Sequence, residues 1–247
     1  FDGKYCLQLS ELMLFSGEDN VALHQSVETS PSRRRNASGF AYNPAYLVDG
    51  HLPYVMNAGR GEPSTAFLSQ ANPDSPASLT IDLGRDTPID RIQLHTIEST
   101  DTTPQSHPSD FGIPHHLLIE GARKADFSDA RTLANLKYTN AFQIGPILGK
   151  TFPTANCRYV KLTVLDPYPY RLIQNQQMEY IAGFAEFEIF SAGINVARHK
   201  TVHKDFPKKS RYMRAATSLT DGRNIYGEIL PIRQWLQELA RRHELET

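Results

Sequence analysis

The sequence predicts an all-β protein, an antiparallel sandwich or barrel-like sandwich, with one amphipathic helix at its C-terminal end. Runs of alternating or compact apolar character at Ser78 to Leu83, Ile89 to Ile97, His116 to Glu120, Arg158 to Leu165 and Phe184 to Phe190 read as strands. The gaps between them, such as Asn72-Pro73-Asp74, Gly84-Arg85-Asp86, Thr103-Pro104 and Asp166-Pro167-Tyr168-Pro169, are turns and loops, not crossover helices. A short sequence also recurs near both ends of the chain, which points to modular architecture.

That repeat sets the domain boundaries. Aligned without gaps, Ser10 to Val27 and Ala185 to Val202 share Glu11/Glu186, Phe15/Phe190, Ser16/Ser191, Asn20/Asn195, Val21/Val196, Ala22/Ala197, His24/His199 and Val27/Val202. Each copy passes from an apolar strand through a Ser/Gly or Ser/Ala/Gly turn into Asn-Val-Ala. Each later reaches an aliphatic-x-Asp-Gly turn, Leu47-Val48-Asp49-Gly50 and Leu219-Thr220-Asp221-Gly222. The expected division is therefore 1–19, a strand resembling the end of a preceding module; 20–191, one sandwich; 192–230, a partial repeat of the domain start; and 231–247, a connector helix. The first residue is Phe1 and not Met, so the chain is expected to be a piece of a longer, multidomain polypeptide.

Along the sandwich, Val160, Leu162 and Val164 share one strand face while Tyr159, Lys161 and Thr163 share the other, the pattern of a sheet packed on one side and wet on the other. The loops from Gly50 to Ser64, Ser99 to Ile113 and Asp166 to Ala182 are long, and long loops on a rigid scaffold are where binding resides. In the tail, Ile232, Trp235, Leu236 and Leu239 form one apolar helical stripe behind Pro231, which needs a partner on this domain or on a further one.

The formal net charge of -1 excludes a surface built for nonspecific nucleic-acid binding. The basic runs Arg33-Arg34-Arg35 and Lys208-Lys209-Ser210-Arg211 read as solvated loops or as contacts to an anionic glycan. No apolar run is long enough to cross a bilayer, so direct membrane insertion is not expected. Cys6 and Cys157 are too few for a disulfide framework and read as free thiols, with a single bridge as the alternative. His95, His107, His115 and His116 make no zinc motif. No nucleophile elbow, phosphate loop or dinucleotide fingerprint is present, so the chain is read as noncatalytic.

The order NVALHQSV, AYLVDG, STAF, ASLTIDLG, IDRIQLHTI, FGIPHHLLIEG, NCRYVKLTVL and AGFAEFEIFSAG resembles the galactose-binding-like superfamily of discoidin and coagulation-factor C-type domains and their related carbohydrate-binding modules. The resemblance covers about Asn20 to Ser191 and is densest at Ser78 to Gly84, Arg158 to Leu162 and Ala185 to Glu188. Two departures stand out: Phe67 where many members carry Trp, and an insertion between Gly50 and Ser64. The resemblance implies a jelly-roll β-sandwich with a ligand site in loops at one end. It also implies a structural Ca²⁺ held by Asp49, Thr65 and Glu186 with the carbonyls of Tyr46 and Ala185, an oxygen-only donor set of the kind Ca²⁺ requires. The alternative is that Asp49 closes an Asx turn and Glu186 pairs with a surface cation.

Glycan binding needs an aromatic platform for a sugar ring and polar side chains that fork onto its hydroxyls. Tyr168, Tyr170 and Arg171 supply both within a few residues, and His107, Tyr54 and Arg60 lie in the other two long loops. The expected function is a carbohydrate-binding module in an extracytoplasmic setting, with a glycan and other domains of the same protein as partners and, as its parent, a larger enzyme or receptor. The alternative is a protein-interaction or sensory/adhesive ectodomain module, since one fold serves many ligands.

Overall fold

The computed structural model describes residues 9, 11–17, 19–23, 25–29, 44–48, 66–97, 112–138, 147–171, 178–207, 215–224 and 227–246. Their strands are β1 (Phe15–Ser16), β2 (Asp19–Asn20), β3 (Phe67–Gln70), β4 (Ala77–His95), β5 (His116–Ala122), β6 (Arg131–Lys137), β7 (Ile147–Asp166), β8 (Tyr168–Arg171), β9 (Met178–Phe184), β10 (Glu186–Ser191), β11 (Ile194–Asn195), β12 (Thr201–Asp205), β13 (Arg223–Asn224) and β14 (Gly227–Glu228). One helix, α1 (Ile232–Glu246), follows. The predicted all-β sandwich with a C-terminal helix is what forms.

The large sheet runs β11-β10-β4-β7-β5-β6, with β12 on β4, and the small sheet runs β3-β9-β8. The axis of the large sheet is the long antiparallel pair β4 and β7, in register from Ala77↔Val164 to Asp82↔Tyr159 and again from Thr87↔Cys157 towards His95↔Ile147. The sequence reads Ser78 to Leu83 and Ile89 to Ile97 as separate strands with a turn at Gly84-Arg85-Asp86, but the ladder on β7 resumes after a register shift, so β4 is one strand with an irregularity. Gly84, at φ +85°, makes that irregularity possible, and its N–H donates to Asp82 Oδ1. Across it Arg158 grips Asp82 with two bonds of 3.0 and 3.1 Å, and its guanidinium holds the Asp82 carboxyl below the usual range.

Alternation places Leu79, Ile81, Ile92, Leu94, Leu117, Ile119, Val160 and Leu162 inside the large sheet, where they meet Phe67, Ala182 and Phe184 of the small one in one continuous core. Cys157 lies in that core as a free, fully buried thiol, and burial raises its pKa; Cys6 lies outside the described residues. Gly121 sits opposite it because a Cβ there would overlap Cys157 Sγ and come within 3.0 Å of Leu133 Cδ1. Gly121→Ala is expected to cost about 1–3 kcal/mol by overpacking. A second substitution, Cys157→Ala, should return much of that loss in a thermal melt, whereas an unaltered deficit would disprove the contact as its cause.

The second repeat copy belongs physically to this sandwich. β12 pairs with the outer edge of β4, from Thr201↔Asp82 to Asp205↔Ser78. A 3-10 turn, Ala216–Thr220, then inserts Leu219 into the core, and Phe206 meets the Phe67 ring edge-on at 5.2 Å. The segment 192–230, whose sequence repeats a domain start, thus closes the sheet of the domain that precedes it.

The predicted loop from Asp166 to Ala182 contains strand instead. β8 and β9 pair from Tyr168↔Ile181 to Arg171↔Met178. Alternating Tyr-Pro-Tyr suits an edge strand, where Pro169 needs no partner for a missing N–H. In α1 Leu236 is half-buried and Arg233 donates to Gly17 O, which ties the helix to the β1-β2 hairpin.

Candidate functional site

Two constellations emerge, at different parts of the sandwich. The first is an acid seat at the start of β10. β9 ends at Phe184 and Ala185 turns the chain, its N–H donating to His95 O at 2.9 Å, so that Glu186 enters β10 opposite His95. Glu186 is fully buried; its Oε1 accepts the Gly222 N–H at 3.0 Å and its Oε2 is buried with no hydrogen-bond partner. Gly222 adopts φ +78°, which lets the Asp221-Gly222 turn aim its N–H inward. Asp221 stands beside it and accepts the Arg223 N–H at 2.9 Å. The turn is clasped from the other side: Thr220 Oγ1 donates to Lys200 O at 2.8 Å, and the His199 N–H donates to Thr220 O.

Burial, and then the neighbouring Glu188 charge, push the Glu186 pKa up to about 9, against the opposing Gly222 hydrogen bond. Burial also raises Asp221. A buried carboxyl of this kind is either protonated or matched by a cation. The orphaned Oε2, with a second carboxylate close by and only oxygen donors, fits a hard cation such as Ca²⁺. Among the described residues no three His, Cys, Asp or Glu side chains gather as a metal cluster, so a cation here would need oxygen donors besides these carboxylates.

A polar keystone supports this seat. Asn195 Oδ1 accepts the N–H groups of Ile189 and Ala197 at 3.3 and 3.0 Å, while Nδ2 donates to Glu188 Oε1 at 3.3 Å. The other Glu188 oxygen meets His95 Nε2 at 2.9 Å, a pair almost wholly buried. Satisfied networks of this kind fix one arrangement of the chain.

The second constellation lies where β7 passes into β8. Tyr168 is half-buried, with its ring edge-on to His115 at 6.0 Å. His115 Nδ1 stands 3.9 Å from Asp166 Oδ2, on an exposed carboxylate. Next to it His116 Nε2 shares a 2.7 Å bond with Asn135 Oδ1 at the surface. An aromatic ring flanked by exposed hydrogen-bonding groups is a geometry that can stack a planar or pyranose face and fork onto hydroxyls.

No protein-family model and no curated protein matches the chain. Among solved structures, it is similar to CBM32-3 from a family 31 glycoside hydrolase of Clostridium perfringens, at 20% identity over 57% of this chain and 84% of that one, with a TM-score of 0.37. It is also similar to CpGH89CBM32-5 from Clostridium perfringens, in complex with GalNAc-β-1,3-galactose, at 16% identity over 60% and 83% of the two chains and a TM-score of 0.34. A third is chitosan-binding module 1 from a chitosanase/glucanase of Paenibacillus sp. IK-5, at 14% identity over 62% and 89%, TM-score 0.34. All three are carbohydrate-binding modules.

Of the residues singled out in the sequence, Glu186 and Ala185 fall together at the acid seat. Tyr168, Tyr170 and Arg171 fall together on β8, Tyr170 opposite Glu179 in register. Tyr46 lies in a 3-10 turn, Pro44–Val48, whose Leu47 carbonyl accepts the Leu12 N–H. Asp49, Thr65, His107, Tyr54 and Arg60 lie outside the described residues. Sequence reasoning does not connect Glu186 with Asp221-Gly222, although a signal is present: that turn is the repeat counterpart of Asp49-Gly50. It also passes over Asn135, and weighs His115 only as a metal ligand.

Proposed function

We propose that the sandwich is a noncatalytic carbohydrate-binding module, with Tyr168 of β8 as the ring platform and Tyr170 and Arg171 of the same strand as further candidate ligand residues. The observation that supports it is the half-buried Tyr168 held edge-on by His115, which stands 3.9 Å from the exposed Asp166 carboxylate. A ring held in place loses little conformational freedom when a sugar stacks on it, which favours binding. Ca²⁺ is proposed as a structural ion at Glu186 and Asp221, where it would neutralise the buried acid and fix the turn that closes the sheet. This reading puts the module in an extracytoplasmic setting, as an accessory domain of a larger enzyme or receptor. Among the described residues no helix is long and apolar enough to cross a membrane.

The test is glycan-array and affinity-gel retention with Ca²⁺ and then with chelator. Replacing both rings, Tyr168→Ala with Tyr170→Ala, is expected to weaken retention by at least about tenfold, equivalent to about 1.4 kcal/mol, while the melting temperature stays within a few degrees. Retention unchanged by the double substitution would refute the platform. A blank array from a well-folded protein would favour the second reading, a protein-interaction module. That reading has its own observation, the exposed apolar residues of the first repeat copy, Leu9, Leu12, Leu14 and Phe15.

A further inference from the structure

The two repeat copies share the core of their local structure. β1-β2 pairs Phe15↔Asn20 and Ser16↔Asp19; β10-β11 pairs Phe190↔Asn195 and Ser191↔Ile194. Asn20 Oδ1 accepts the N–H groups of Leu14 and Ala22, as Asn195 Oδ1 accepts those of Ile189 and Ala197. Val21 donates to Leu14 O at 2.7 Å, as Val196 does to Ile189 O at 2.8 Å. Each copy then reaches a five-residue 3-10 turn, Pro44–Val48 in the first and Ala216–Thr220 in the second.

The surroundings of their strands are opposite, although Ala22 and Val48 are buried like their counterparts Ala197 and Thr220. Phe184, Phe187, Ile189 and Phe190 are 0%, 1%, 0% and 8% exposed, whereas their counterparts Leu9, Leu12, Leu14 and Phe15 are 56%, 44%, 55% and 41% exposed. β12 has β4 as its partner, whereas the matching residues 26–29 pair with no strand among the described residues. So, among the described residues, the first copy carries the side chains of a closing core strand without the sheet that such a strand closes.

What would cover it follows from what covers its twin. β10 lies antiparallel to Arg91–His95 of β4, with Phe187 opposite Leu94, Ile189 opposite Ile92, and the Arg91 guanidinium 4.1 Å above the Phe190 ring. The partner of the first copy is thus an antiparallel strand of that pattern, aliphatic opposite Leu12 and Leu14 and cationic opposite Phe15. Among its described residues a second copy of this chain offers no vacant strand of that kind, because β10 and β12 already occupy both stretches of β4. Moreover, the second repeat copy packs on strands that precede it in the chain.

We propose that Leu9 to Phe15 are the closing strand of a second sandwich of this fold, one preceding them in the parent polypeptide, and that the first repeat copy completes that sandwich as the second copy completes this one. The hairpin between Phe15 and Asn20 is then the joint between two consecutive sandwiches.

The test is hydrogen exchange on two proteins, this chain and the parent polypeptide extended upstream as its gene encodes it. Amides of 26–29 are expected to exchange rapidly in this chain and to be slowed by roughly two orders of magnitude in the extended one. Equal exchange in both overturns the proposal, as does an upstream sequence without an aliphatic-x-x-Asp-Leu-Gly strand. Slow exchange in this chain together with a dimer in light scattering also overturns it, by assigning the cover to a second copy. The double substitution Leu12→Ser with Leu14→Ser gives an independent readout. It should leave the melting of this chain unchanged and lower only the added transition of the extended polypeptide; a lowered melt of this chain itself would sink the idea. None of these readouts depends on glycan binding.

Discussion

Ending the chain after Ser191, at the boundary that the repeat suggests, is expected to abolish cooperative folding. The cut removes β12, leaving the Ser78–Asp82 edge of β4 unpaired, and removes Leu219 and Ala197, both with no exposed surface, from the core. Losing one buried leucine alone costs about 2–5 kcal/mol. Added to a lost edge strand and a lost Asn195 keystone, this reaches the whole stability of an ordinary domain, about 5–15 kcal/mol. The measurement is a far-UV circular dichroism melt of the truncated chain beside the full one. A truncated protein with an intact sigmoidal transition would mean that 192–230 decorates the sandwich and does not complete it.

The other large effect centres on Glu186. Its carboxyl titrates near 4.5 when unfolded and at about 9 when folded, so between those values the folded state holds more protons. Stability contributed by the neutral acid is therefore full below about pH 4.5 and is drawn down as pH rises towards 9. In chelator the wild-type melting temperature is expected to fall across this window. Glu186→Gln still accepts the Gly222 N–H and cannot ionise, so its melting temperature should stay nearly flat. Saturating Ca²⁺ at pH 8 should restore the wild type, since ligand at a hundred times its dissociation constant contributes about 2.7 kcal/mol, or roughly 5–10 °C, and should leave the Gln variant unmoved. A wild-type melt indifferent to pH would refute the buried acid; an equal calcium shift in both proteins would place the ion elsewhere.

Much of the fold is legible in the amino-acid order. Alternating apolar residues in β4, β5, β7 and β10 announce the sandwich, because a half-buried strand cannot hide its period. The Asn-Val-Ala repeat is equally plain. Where its second copy docks is not: local sequence records that a segment is fit to close a sheet, and both copies carry the same residues for doing so. Only the long-range register of Thr201–Asp205 on β4 distinguishes them, and a pairing so distant leaves no trace in either strand alone. For the same reason Glu186 stands out as a candidate cation ligand while its partner turn, at Asp221, does not. The Tyr168 strand reads as a loop because Pro167 and Pro169 punctuate it, and edge position removes the usual penalty for proline in a strand.

The Asp221-Gly222 clasp also has a mechanical meaning. The segment leading to α1 is bonded back through Ile229 to Gly222 O, and Gly222 in turn to Glu186 at the start of a core strand. Tension applied through the helix would thus enter the large sheet directly at the start of β10, and would not peel β12 from its edge one bond at a time. A module anchored in this way resists a steady pull until one buried carboxyl lets go, so the force it withstands would follow the protonation or cation occupancy of that carboxyl.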